Sequence, residues 1–513
     1  MKRFQPCLSS GILASTSLLF LLQTRGEQSV EAWAQRYNEG AGARAVAVDG
    51  SGNAYVTGPA VFSPATTYEY ATVAYSSAGV ALWTNRYSGP GNDHQAQAVA
   101  VDGIGHVYVT GYSRDAGGHY NYATIAYSSG GVGLWTNRFG GSAGGDDYPQ
   151  AIATDGVGHV YVTGYARDIG SGWDYATIAY SSAGVALWTN LYDGPTNSDD
   201  EALAMAVDGS GNVYVTGISS GANYPVYDYA TIAYSSAGVP LWTNRYNGPG
   251  DDNDEPIDVA VDATGIVYVT GSSVRSVVYP YEYYDWTTIA YSSTGVPLWT
   301  NRYDNGQVAF GVKALAVGGG NVYLTGSPLG GGGGYTTIAY SSAGMALWTN
   351  HHEGPVGGGD AQAVAVDGTG NVIVTGSTPT TNGYPTDYRF ETIKYSGAGV
   401  PLWTNRHDSH GPPQNKYCLA LGPDGSAYVT GGSADFTTVK YVSVPELTIT
   451  LTGTNTTMIS WPFPSLGFEL QQNTALNAAN WASPPEPVSS NSTVKFIIAN
   501  PAAGNRFYRL IHP

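Results

Sequence analysis

One phrase governs what this chain can fold into. Tyr-Val-Thr-Gly or a close variant starts at Tyr55, Tyr108, Tyr161, Tyr214, Tyr268, Tyr323, Ile373 and Tyr428, eight times in all. A second phrase, Leu-Trp-Thr-Asn, sets a tryptophan at Trp83, Trp135, Trp188, Trp242, Trp299, Trp348 and Trp403, with 49 to 57 residues between successive copies. A period of this size means a solenoid, a propeller or an array, because one such unit cannot bury its apolar face alone. Each unit carries four short β-like runs and no helical periodicity. In the second unit they are residues 98–101, 107–110, 122–127 and 134–139, with Asp102-Gly103 and Ser128-Ser129-Gly130 as turns. Four antiparallel strands make one propeller blade. A β-solenoid is the alternative, but its rungs are usually shorter.

Strand counting predicts how the ring ends. With the runs labelled A to D, there are eight A, eight B and eight C runs, and seven D runs that follow a C run. The missing D run stands at the front, where Trp33-Ala34-Gln35-Arg36-Tyr37 reads like Trp-Thr-Asn-Arg-Tyr. An N-terminal strand that completes the last blade would leave no open edge to pair with other chains. The expected fold is therefore all-β: an eight-bladed propeller over 27–443, closed by its N-terminal strand. A small β-sandwich-like domain should follow over 444–513, where Ser-Trp-Pro, Phe-Glu-Leu-Gln and Phe-Tyr-Arg-Leu strands replace the repeat.

These units resemble the SBBP-type β-propeller repeat family of bacterial secreted and surface proteins. The matching text is AVDGSGNVYVTG (206–217) and YATIAYSSAGVPLWTNRY (229–246). The family is associated with seven-bladed propellers, so eight units depart from its pattern. The resemblance implies a fold and a surface location, and it brings no catalytic residues. The C-terminal module resembles one found in secreted proteins of Verrucomicrobia-type bacteria.

Composition agrees with export. Lys2 and Arg3 precede an apolar run over 8–22, the pattern of a signal peptide over 1–26 and too short to span a bilayer. Its loss takes the net charge from −18 to −21. Such an acidic chain lacks the Lys and Arg clusters that nucleic acid requires. Of two cysteines, Cys7 leaves with the signal, so Cys418 has no partner and packing must stabilise the fold. The expected product is a secreted or surface-held monomer without a membrane span.

The recurring residues read as structure. The tryptophan should fill the space between blades. The Asp of Val-Asp-Gly (Asp49, Asp102, Asp155, Asp208, Asp262, Asp367) should cap a turn rather than hold calcium. A Gly-x-x-x-Trp spacing as in PQQ-dependent dehydrogenases fits Gly79 to Trp83, but that motif's upstream Asp and Thr are missing.

Function is expected in the B–C and D–A connections, which vary between units and emerge on one face. The candidates for ligand binding are Asp115, Tyr120, Asp168, Trp173, Tyr227, Tyr281, Tyr284 and Trp286. Aromatic planes beside carboxylates suit a polysaccharide, and also a protein interface. Asp251, Asp252, Asp254 and Glu255 form the candidate metal cluster, with calcium the cation it would take and no other cofactor expected. No zinc, nucleophile-elbow, P-loop or dinucleotide signature occurs. The leading expectation is a non-enzymatic binding scaffold. The alternative is a polysaccharide lyase or glycosidase or, more remotely, a PQQ-like oxidoreductase.

Overall fold

The computed structural model describes residues 28–513 apart from 63–66, 171, 222–225, 279–280, 305–310, 329–332, 382–387, 409–415, 433–434, 446, 453–455, 463–467, 476–479, 492–493, 501–505 and 512–513. The signal-peptide reading of 1–26 lies outside the described residues. The chain divides into two compact units, Glu31–Val442 and Ser443–Pro513 with the described residues before Glu31. Among the described residues there is no helix at all, hence none long and apolar enough to cross a membrane.

Seven four-stranded antiparallel sheets follow in chain order, each built A-B-C-D from consecutive strands. The first is Ala45–Val48, Ala54–Phe62, Thr67–Tyr75 and Ala81–Tyr87. An eighth sheet joins Cys418–Leu421, Ala427–Gly431 and Phe436–Ser443 to Ser29–Tyr37, the first strand of the chain. Each A strand packs against the A strand of the next sheet, and the A strand of sheet 8 packs against that of sheet 1.

Within a sheet the two inner strands are buried on both faces, and the D strand at the edge alternates. In the B strands of most sheets Tyr, Val and Thr of Tyr-Val-Thr-Gly are all buried. The threonine meets a threonine of the C strand, as in Thr57 to Thr72 at 3.1 Å and Thr163 to Thr177 at 2.8 Å. This pair satisfies two hydroxyls where no water reaches them. The tight A–B turn is held by the Asp that precedes it. Asp49 accepts the Ser51 and Asn53 N–H groups on Oδ1, and the Asn53 amide and Tyr55 hydroxyl on Oδ2. The carboxylate is fully used by its own turn, as expected of a cap and not of a calcium ligand.

The sheets are joined by a clasp that repeats. The indole of Trp83 lies on Gly131 in the C–D turn of the next sheet and donates Nε1–H to the Ser129 carbonyl at 2.9 Å. Two residues on, Asn85 donates to the Gly131 carbonyl at 2.7 Å. Trp135, Trp188, Trp242, Trp299 and Trp348 repeat the contact with Ser182, Ser236, Ser293, Ser342 and Gly397. The turn glycine must adopt positive φ and must lack a side chain: at Gly295, φ is 80° and a Cβ would lie 2.6 Å from Trp242. Trp33, in the N-terminal strand, makes the same clasp with sheet 1, donating to the Ser77 carbonyl at 3.1 Å over Gly79. Trp403 differs. No C–D turn follows the last C strand of this unit, and its Nε1 is buried without a hydrogen-bond partner among the described residues.

Sheets 8 and 1 touch elsewhere too. Tyr428 donates to the Gly52 carbonyl at 2.7 Å, and Lys440 to the Ser77 carbonyl at 3.2 Å. Arg36 pairs with Asp435 at 2.5 Å, as Arg245 does with Asp228 at 3.0 Å inside sheet 4.

The second unit has a four-stranded sheet of Thr448–Leu451, Thr457–Pro462, Val494–Ala499 and Ser489–Ser490, and a pair, Glu469–Asn473 with Phe507–Ile511. Ile459, Trp461, Leu470, Ile497 and Ala499 form its core.

The clasp generates three predictions. Deleting residues 28–40 removes the fourth strand of sheet 8 and the Trp33 clasp, so the protein should aggregate or melt far lower. An unchanged melting temperature in a monomeric deletion variant would contradict this. Trp242→Ala should cost about 2–3 kcal/mol, below the full cavity cost because the ring is half-exposed. Gly295→Ala should cost about 1–3 kcal/mol through backbone strain and the clash with Trp242, read by chemical denaturation.

Candidate functional site

The A strands carry a β-bulge that the sequence reading did not foresee. It falls between Ala96 and Ala98, Pro149 and Ala151, Ala202 and Ala204, Pro256 and Asp258, Val312 and Ala314, and Ala361 and Ala363. The glycine ending Tyr-Val-Thr-Gly is what admits it: a Cβ on Gly217 would lie 1.9 Å from the Glu201 carbonyl oxygen. Just before each bulge comes one rung of residues paired across to the B strand. Gln95 faces Tyr112, Tyr148 faces Tyr165, Glu201 faces Ile218, Glu255 faces Ser272 and Asp360 faces Ser377.

On that rung, sheets 2 and 3 build a continuous run of half-buried rings. Tyr120 meets Tyr112 at 5.1 Å, Tyr112 meets Tyr148 at 5.3 Å, Tyr148 meets Tyr165 at 5.5 Å and Tyr165 meets Trp173 at 5.7 Å. Arg114 lies over Tyr120 at 5.0 Å and Arg167 over Trp173 at 5.2 Å. The outer rings are tied down. Tyr120 donates to Asp93 at 2.6 Å, and Trp173 donates Nε1–H to the Asp146 carbonyl at 3.2 Å. The platform is thus preorganised by the D–A connections entering each sheet.

Electrostatics sharpen the picture. Burial, helped by nearby Asp199 and Glu255, pushes the Glu201 carboxyl up to about 7. Burial also raises Glu255, against the pull of Lys313. Burial and the Asp93 carboxylate push the Tyr120 hydroxyl up to about 12.

Other expected residues lie elsewhere. Asp115 is spent on its own loop, accepting the His119 N–H at 3.0 Å and the Asn121 amide at 3.1 Å. Asp168 accepts the adjacent Ile169 N–H at 2.8 Å. Tyr227 is half-buried, and its N–H donates to Asn253 at 3.1 Å. Tyr281 opens the strand Tyr281–Tyr291, but its side chain lies outside the described residues. Tyr284 is buried, its hydroxyl on Glu282.

Trp286 is a correction: it is 1% exposed and packs in the core with Val312, Leu315 and Leu324. It fills the place that Tyr122 and Tyr175 hold in their sheets, so it is a core ring and not a loop aromatic. The B–C connection of this unit, where Tyr281, Tyr284 and Trp286 were expected, is mostly strand, Val267–Val278 paired with Tyr281–Tyr291.

The acidic run is a second correction. Asp254 is fully buried, with its carboxylate on the Gly248 and Val274 N–H groups, and burial raises it to about 6. Asp251 accepts from Asn247, Asp252 from the Asn253 N–H, and Glu255 lies on the strand. Asp251, Asp252 and Asp254 are thus each spent on a different partner in their own connection, and the four carboxylates do not converge. Asp147 and Asp200 clamp their own loops as Asp254 does, through Gly141 and Gly194. Among the described residues, the acids that converge are Asp174, Asp193 and Asp200, within 4.8 Å of one another. Their oxygen-only donors suit a hard cation such as calcium. Where sheets 4 and 5 place Arg245 and Arg302 against Asp228 and Asp285, sheet 3 has Leu191, an exposed residue.

A shallow cavity of about 230 Å³ lies apart from the rings, lined by Ala34, Gln35, Arg36, His407, Asp408 and Thr437.

Comparison with known proteins agrees on the class. The beta-propeller repeat (SBBP) model matches residues 134–167, spanning the D strand of sheet 2 to the B strand of sheet 3. With its four-stranded antiparallel sheets, the chain is a β-propeller protein that carries this repeat. No curated protein matches it. Among solved structures, the propeller domain of the Trilobed protease from Pyrococcus furiosus is 8% identical, over 74% of this chain and 99% of that one, with a TM-score of 0.43. The Pan2 WD40 domain of Neurospora crassa is 10% identical over 67% and 88%, at 0.38. A gluconolactonase from Xanthomonas campestris is 14% identical over 53% and 82%, at 0.30. Scores this low say nothing about function here.

The site generates two predictions. A carboxyl with a raised value holds its proton more tightly when folded. Glu201 therefore supports folding most fully below about pH 4.5, and that support is lost as pH rises through about 7. Glu201→Gln should match the parent at pH 4.5 and exceed it above pH 7, by about 1–2 kcal/mol for a half-buried group. A difference that does not change with pH would contradict this. Leu191→Arg should add about 1 kcal/mol by setting a guanidinium among three carboxylates. A lower denaturation midpoint would be the opposite result.

Proposed function

We propose that this is an exported, monomeric and non-enzymatic binding protein, a closed eight-bladed propeller that offers an aromatic platform to a saccharide. The observation that carries the reading is the run Tyr120, Tyr112, Tyr148, Tyr165 and Trp173. Core packing repeats in every sheet; this run does not. Sheets 4, 5 and 7 put Ile218, Ser272 and Ser377 where Tyr112 and Tyr165 stand. Gln95 and Glu201, on the same rung, offer hydrogen bonds to hydroxyl groups. The rings pack against one another at 5.1 to 5.8 Å, which leaves no gap for a cation between them. Successive rings are turned by 76°, 78°, 47° and 66°, so a saccharide lying along the run would meet ring edges and ring faces by turns.

Closure is supported by the Trp33 clasp, by the pairing of Arg36 with Asp435, and by the packing of the sheet 8 A strand on that of sheet 1. Export rests on the N-terminal sequence alone. The enzyme reading is the weaker one. A glycosidase would need a second carboxylate facing the raised Glu201 carboxyl across a sugar, and among the described residues no such pair stands on the ring run.

The test is a polysaccharide array with turnover assayed in parallel, on the full chain and on Tyr112→Ala/Tyr148→Ala. The parent should bind a glycan without cleaving it. The double variant should lose at least tenfold in affinity with its melting temperature nearly unchanged. Turnover of the bound glycan, or binding that survives the double change, would overturn the reading.

A further inference from the structure

The D strands repeat a second contact between neighbouring sheets. The tyrosine four residues after the clasp tryptophan receives an arginine of the next sheet. Arg138 donates to the Tyr87 hydroxyl at 3.1 Å, Arg302 to that of Tyr246 at 2.7 Å and Arg86 to that of Tyr37 at 2.9 Å. Sheets 6 and 7 put histidine in the tyrosine's place: His352 is opposite Tyr335, and His407 is opposite Phe390, as Tyr87 is opposite Tyr70. An imidazole is shorter than a phenol, so each of these two junctions must fill the space left over.

The junction between sheets 6 and 7 fills it with a carboxylate. Glu391, fully buried, accepts from His352 Nε2 at 2.8 Å and from Arg406 at 2.6 Å. The junction between sheets 7 and 8 does not. There the residue opposite the glycine of the B strand is Thr437, where sheet 7 has Glu391. Its hydroxyl turns to Asp435 at 2.9 Å. His407 and Arg36 are left in the roles of His352 and Arg406 with no glutamate between them, and the cavity of about 230 Å³ lies there, lined by both, by Thr437, Ala34 and Gln35, and by Asp408. Pockets for drug-sized ligands start near about 300 Å³, so this one suits a smaller molecule.

The lining sets the chemistry. Glu31 takes His407 Nδ1 at 3.0 Å, which leaves Nε2 as the second ring nitrogen, the one His352 uses on Glu391. Asp435 takes the Arg36 Nε–H, one of the five N–H groups of a guanidinium, and the Arg36 side chain is 44% exposed. Asp408 is 81% exposed and meets Arg389 only at 4.0 Å. Arg36 and Asp408 thus line one cavity with opposite charges, and among the described residues they form no ion pair with each other. Three carboxylates, Glu31, Asp408 and Asp435, stand here against two guanidinium groups, Arg36 and Arg389, so a ligand with a net negative charge is disfavoured.

We propose that this cavity binds a small free α-amino acid. Its carboxylate would lie between Arg36 and His407, in the place that Glu391 fills one junction earlier, and its ammonium on Asp408. The ligand would tie the N-terminal strand to sheet 7 and so stabilise the fold by mass action. This inference does not depend on the ring platform.

The experiment is calorimetric titration and thermal melting of the full chain with glycine, L-alanine and L-threonine, and with propionate, ethylamine and xylose as partial probes. At least one amino acid should raise the melting temperature and bind about tenfold tighter than propionate or ethylamine, as expected when each charged contact counts. His407→Tyr, which restores the phenol of the other sheets and fills the cavity, should abolish binding without lowering the melting temperature of the ligand-free protein. Asp408→Asn, at an exposed position, should weaken the amino acid about tenfold and leave propionate unchanged. Binding that survives His407→Tyr overturns the proposal. If that variant does not fold, Asp408→Asn decides, and an unchanged amino-acid affinity overturns it. Propionate or ethylamine binding as tightly as the amino acids would mean a site for one charge only, xylose binding tightest would mean a saccharide site, and no binding by any amino acid would mean no such site; each of these overturns the proposal.

Discussion

The clasp between tryptophan and the following turn is the interaction on which the rest depends. A four-stranded sheet with two apolar faces cannot stand alone, and each sheet here buries one face on each neighbour. The indole supplies area, the Nε1–H fixes angle, and the turn glycine makes room. Because the contact links a D strand to the next sheet's C–D turn, it works at the D edge of each sheet. The A strands, packed in succession at the other edge, are thereby held in one register. That register is what lines up the rung of Gln95, Tyr148, Glu201, Glu255 and Asp360.

A repeating scaffold makes departures from repetition meaningful. The clasp, the Thr–Thr pair and the Asp-capped turn recur because packing demands them everywhere. The rings on and beside that rung in sheets 2 and 3 meet no such demand. The loop acids divide the same way. Asp147, Asp200 and Asp254 each close their own D–A connection through two backbone N–H groups, while Asp200 also converges with Asp174 and Asp193.

The architecture was legible because its determinants are local and repeated. Tyr-Val-Thr-Gly, the turn glycines and Leu-Trp-Thr-Asn each act within one unit or between neighbours, so counting them recovers the sheets and the role of Trp33. The site was only partly legible. Tyr120 and Trp173 were found because they stand in variable connections. Tyr112 and Tyr165 were missed because they follow the recurring phrase immediately and read as strand. Lining up the units would have exposed them, since Ile218, Ser272 and Ser377 occupy the same place. Trp286 was misplaced for the converse reason. Its segment, Trp-Thr-Thr-Ile-Ala-Tyr, matches Tyr-Ala-Thr-Ile-Ala-Tyr, and the match marks a core position. The bulges leave no trace in text, because an extra residue in one strand shows only against its partner.

The account stands or falls on whether eight sheets close through the N-terminal strand. A crystal structure of the full chain answers this most directly. The account predicts continuous density for Trp33 on Gly79, its Nε1 within hydrogen-bond distance of the Ser77 carbonyl, and eight sheets around one axis. A gap between sheets 8 and 1, or seven sheets with Ser29–Tyr37 paired elsewhere, would contradict it.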